Sequence, residues 1–97
     1  MKTHIVNSLS VKGLDEEIKY VQAHLYVHKA GITSWSLEID EPEQMEKFAR
    51  VRRDKEKLDI TFSISYMNEL KGKVMVKDII NSSVTLNGSG RLVGYED

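Results

Sequence analysis

Cysteine is absent from this sequence, proline occurs once, and aromatic residues make up only 7% of it. Without cysteine there is no disulfide framework, no thiolate nucleophile and no cysteine-ligated zinc site. No stretch approaches the roughly 18 apolar residues that a membrane-spanning helix needs. The opening MKTHIVNSLSVKG also lacks the apolar core of a secretion signal, so cytoplasmic synthesis and no membrane association are expected. Neither sign of charge dominates. The formal net charge is −1, which provides no global positive field for nucleic acid and leaves only a local basic patch as a route to it. A single proline and a charged fraction of 30% argue against a disordered chain. The sequence contains no repeat, linker or composition break, so residues 1–97 read as one domain with a modest core.

What is present is alternation. In LDITFSISYMNELKGKVMVKDI (58–79), Leu58, Ile60, Phe62, Ile64 and Tyr66 share one parity, and Asp59, Thr61, Ser63 and Ser65 share the other. A period of two over nine residues predicts a strand with one buried and one wet face, followed by a turn and a second strand. Ile5–Val11 reads the same way, with Ile5, Leu9 and Val11 inward and a turn at Gly13 and Asp15. Ile32–Ile39 alternates Trp35, Leu37 and Ile39 with Ser34, Ser36 and Glu38.

Residues 14–30 carry two patterns. As a helix, Leu14, Ile18, Val21 and Leu25 form a stripe. As a strand, Val21, Ala23, Leu25 and Val27 alternate with Gln22, His24, Tyr26 and His28. The helical stripe leaves Tyr20 and Val27 unexplained, and Val and Tyr favour pleated surfaces, so a strand over Ile18–His28 is preferred, turning at Lys29-Ala30-Gly31. A helix over about 41–54 follows. Asp40 is its expected cap, Glu43 sits at the capping-box position, Pro42 lies in the first turn, and Met45, Phe48 and Ala49, with Arg52 next along, form its apolar stripe. Near the C-terminus, Asn87-Gly88 reads either as a tight hairpin turn or as part of one strand whose small residues admit a close neighbour. The fold class expected is mostly β: a small antiparallel sandwich or barrel of five to seven strands with one α-helix packed against it.

No catalytic constellation emerges, and no cofactor or metal is expected. His24 and His28 have the spacing of two zinc ligands on a helix. On a strand they stand about 13 Å apart at ~3.3 Å per residue, too far to share an ion. NGSG lacks the lysine and the following helix of a phosphate loop. A strand would align Tyr20, His24, Tyr26 and His28 on one face, suited to packing, to a subunit interface, or to stacking the bases of a single-stranded nucleic acid. Arg50, Arg52, Arg53, Lys55 and Lys57 form the densest basic cluster, read as a helix end complementing its dipole or as a contact for phosphate or an acidic partner. Tyr20, Tyr26, His28, Arg52 and Arg53 are the candidate contact residues. The outer parity of 59–65 reads as chemically mute, which leaves the Tyr/His stripe, the basic helix end and exposed sheet edges.

The pieces EPEQMEKFARV, LDITFSISYM, LKGKVMVKDI and SVTLNGSGRLV, with the earlier ITSWSLEID, resemble over about residues 32–93 the closing part of phage tail-tube-type proteins. That resemblance implies a β-sandwich with a flanking helix, protomers whose sheets join edge to edge into rings, and a location in a bacterial host's cytoplasm or in a virion. The length suits a tail accessory or baseplate component. The function expected is therefore a non-enzymatic structural or assembly protein acting through protein–protein contacts, as a homo-oligomer or within a phage assembly. The alternatives are a small single-stranded nucleic-acid-binding barrel and a phage-encoded inhibitor of a host protein.

Overall fold

The alternating segments become six antiparallel strands closed into a ring. The computed structural model describes residues 2–12, 17–30, 32–65 and 67–95. In chain order the elements are β1 (Lys2–Val11), β2 (Gln22–Ala30), β3 (Ile32–Asp40), α1 (Met45–Asp54), β4 (Lys57–Ile64), β5 (Met67–Ile80) and β6 (Ser83–Val93). The strand order around the closed barrel is β1-β2-β3-β6-β5-β4, so β3 stands across from β4. Two three-stranded meanders meet at two seams. β1 pairs with β2 through Lys2–Ile5 and with β4 through Val6–Val11. The second seam joins Ser36–Asp40 of β3 to Ser83–Asn87 of β6. Closure pairs strands that would otherwise be edges, which removes the unpaired backbone through which open sheets aggregate.

The inward parity of each strand fills the interior. Leu9 and Val11, Ala23 to Val27, Trp35 to Ile39, Ile60 to Ile64, Leu70 with Val74, and Val84 with Leu86 supply buried apolar side chains, and no polar or charged residue is buried among the described residues. α1 adds Phe48 and Val51 to the buried set. The interior of a barrel this narrow is packed by its own side chains.

Trp35 organises the β5–β6 side of the core. It is buried, its indole lies against Gly72 of β5 and Gly88 of β6, and its ring centroid is 6.1 Å from that of Phe62. A Cβ on Gly72 would lie 2.5 Å from Trp35 Cζ2, and one on Gly88 would fall inside the indole's own volume. Asn87-Gly88 is therefore no hairpin turn: β6 runs unbroken, and its glycine makes room for the tryptophan. Beyond Ser89, β6 bulges, with Lys73 opposite Ser89 and Lys71 opposite Val93. Gly90 takes a φ of +82° in that bulge, and its carbonyl accepts a 3.0 Å hydrogen bond from Trp35 Nε1–H. Glycine suits this position because an L side chain is disfavoured at positive φ.

Several expectations are corrected. The pairing of β1 with β4 shifts between Val6 and Ser8, which reverses parity there: Val6 is buried and Ile5 is 58% exposed. The strand reading of residues 14–30 holds from Gln22 onward, whereas Ile18 is buried ahead of the strand and Val21 is 71% exposed. The turn at Gly13 and Asp15, the centre of the next turn at Gly31, and Tyr66 lie outside the described residues. The helix begins at Met45, not at 41. Asp40 stays in β3 opposite Ser83, whose hydroxyl donates a 2.6 Å hydrogen bond to its carboxylate. Glu41 N–H bonds Ser82 O at 2.7 Å and Glu43 N–H bonds Lys19 O at 2.9 Å, so tertiary pairing replaces the capping box. Gln44 is the cap, without a side-chain bond, and the buried stripe is Phe48 and Val51 while Ala49 is exposed.

Candidate functional site

With the interior filled, the outer walls are where chemistry is available, and the two opposite walls differ. On the wall of β2 and β3, Gln22, His24, Tyr26 and His28 share the outer parity. Registers set Ile5 of β1 beside His24, and Glu38, Ser36 and Ser34 of β3 beside His24, Tyr26 and His28. The His24 and Tyr26 rings lie 6.2 Å apart at 31°, and Gln22 Nε2 is 3.2 Å from His24 Nε2. Partial burial raises the Tyr26 hydroxyl above its usual pKa, with Glu38 and Asp40 adding to the effect, so it stays a neutral donor over the physiological range. His24 and His28 are separated along a strand, and no group of three metal-ligating side chains occurs among the described residues.

The candidate contact residues do not form one surface. Tyr26 and His28 share the β2 outer face. Tyr20 precedes the strand, packs against the core and donates a 2.8 Å hydrogen bond to Val6 O, so it is a structural anchor and not part of the stripe. Arg52 reaches β5, with Nη2 3.5 Å from Asp78 Oδ1, and Arg53 lies 3.5 Å from its neighbour Asp54. At those exposures each pair contributes little stability.

The wall of β4 and β5, read as mute from its own residues, is not mute in three dimensions. An open groove of about 680 Å³ runs across β1, β4, β5 and β6, lined by Lys12, Lys71, Lys73 and Arg91, the hydroxyl residues Ser10, Thr61 and Ser89, and the carboxylate of Asp59. Registers build it: Ser10 pairs with Thr61, Thr61 with Lys71 and Lys71 with Val93, while Asp59 pairs with Lys73 and Lys73 with Ser89. The β6 bulge brings in Arg91. Lys12 is held there by its N–H bond of 2.9 Å to Asp59 O. Sequence reasoning missed this set because its members are scattered over 80 positions of chain. The one available signal was Lys71-Gly72-Lys73, two cations on the outer parity of a strand.

No protein-family model matches this chain, and no match is found among the curated proteins or the solved structures.

Proposed function

We propose that this barrel is a non-enzymatic module that works by protein–protein contact through the outer face of β2 and β3. One observation carries the reading: the apolar side chain of Ile5, 58% exposed, lies beside the His24–Tyr26 pair on a pleated wall. Aromatic rings with polar tips next to exposed apolar surface have the composition of protein interfaces. The filled interior supports binding on the outside over turnover within.

The setting we propose is a phage or prophage tail-related component, on the strand pattern that resembles that family. Barrel closure then favours assembly through faces over edge-to-edge joining, since most strand edges are already paired. Light scattering across a concentration series tests the reading. The mass should rise above the 11.1 kDa of one chain, and Ile5→Ser with Tyr26→Ser should return it to that value. A wild-type chain that stays strictly monomeric at high micromolar concentration would contradict self-assembly.

A further inference from the structure

We propose a second binding surface, independent of the first: the groove across β1, β4, β5 and β6 seats the backbone of a single-stranded nucleic acid. Four cations, Lys12, Lys71, Lys73 and Arg91, line it against one carboxylate, Asp59. The groove lining is thus net positive by three on a chain whose formal net charge is −1, so the remaining residues together sum to −4. None of the four side chains has an ion-pair partner among the described residues. Among the described residues the groove is therefore a net basic strip with Asp59 as its one carboxylate, and its local positive field would draw a polyanion toward it.

The chemistry favours phosphodiester over an acidic protein. Protein interfaces concentrate aromatic and apolar side chains at their centre and are depleted in lysine. Among the described residues, the only exposed apolar one lining this groove is Val93, and no aromatic residue lines it. Lysine, arginine and Ser/Thr hydroxyls are the donor set that contacts phosphate oxygens. The cations come from β5, β6 and the residue after β1 and span the width of four strands, about 14 Å at ~4.8 Å per strand, which suits a run of phosphates better than a single one. A flexible single strand can follow this open groove. A duplex is stiff over about 150 base pairs and adapts less readily to the spacing of these cations. Without aromatic platforms, the contact is with the backbone and is indifferent to base sequence.

Fluorescence anisotropy of a labelled oligothymidylate of about 20 nucleotides tests the assignment. Binding at low salt should weaken with a log–log salt slope of about −3, as four released counterions predict for a single strand. Lys71→Glu with Lys73→Glu should lower affinity by roughly tenfold or more and flatten that slope. Arg53→Glu with Lys55→Glu, the same charge change outside the groove, should leave affinity within about twofold. Far-UV circular dichroism and melting of each variant establish that it is folded. No binding by the wild type at low salt would overturn the proposal, as would equal loss from the two double variants. Displacement by polyglutamate at equal charge would reassign the groove to an acidic protein, and duplex bound as tightly as single strand would also overturn it. Because the light-scattering variants lie on the other wall, either reading can fail alone.

Discussion

The two walls of this barrel are built alike and present different chemistry. β2–β3 and β4–β5 are both antiparallel pairs whose inner parity is buried and apolar. Outside, one carries imidazole, phenol and carboxylate beside an exposed isoleucine, and the other carries ammonium, guanidinium and hydroxyl groups around a groove. The inner halves of the sequence determine that the barrel closes. The outer halves are free to differ, because no core contact constrains them. In a fold with a filled interior, function is written in the parity that packing does not read.

The strongest way to break the comparison is to remove what the two walls share. Trp35→Ala should destabilise the chain by about 3–5 kcal/mol, since a large buried aromatic leaves a cavity between β3, β5 and β6. Gly88→Ala should cost about 1–3 kcal/mol through overpacking against the indole. The double variant should cost less than the sum, because the added methyl then fills space the indole has vacated. Urea denaturation of the four proteins measures this coupling, and strict additivity would show that the indole and Gly88 do not compete for space. Both outer walls should lose their binding together in Trp35→Ala.

A smaller effect separates anchoring from contact on the β2 side. Tyr20→Phe keeps the ring and removes the hydrogen bond to Val6 O, so it should cost about 1 kcal/mol. Burial, with Glu17 adding to it, raises the Tyr20 pKa in the folded chain above the ordinary 10.0. Below pH 10 the tyrosine is neutral in both states and its stabilising effect is complete. As pH rises through the folded-state pKa, the unfolded chain has already ionised and that stability is lost. The wild type should therefore lose stability at alkaline pH more steeply than Tyr20→Phe, as followed by circular dichroism. The smallest effect is expected from Arg52→Ala, below about 0.5 kcal/mol, because its 3.5 Å pair with Asp78 is half exposed.

How much was legible follows from which interactions are local. β4 and β3 could be read directly, since an uninterrupted period of two has no competing explanation. β1 misled because parity counting assumes a regular ladder, and the irregularity at Asn7 exchanges the roles of Ile5 and Val6. The helix start misled because Asp40 and Glu43 have local capping patterns, while the sheet and Lys19 offer them stronger partners from a distance. Gly88 stayed ambiguous until the tryptophan that needs it could be seen 53 residues away in sequence. The basic groove was invisible for the same reason as the core is robust. It is made by register between strands, and no single segment holds more than two of its cations.

The claim that the walls work separately is tested most directly by amide chemical-shift mapping of the isotopically labelled chain titrated with oligothymidylate. Shifts are expected at Lys12, Lys71, Lys73 and Arg91, with the amides of His24, Tyr26 and His28 unmoved. Shifts centred on the β2 stripe, or none at all, would contradict it.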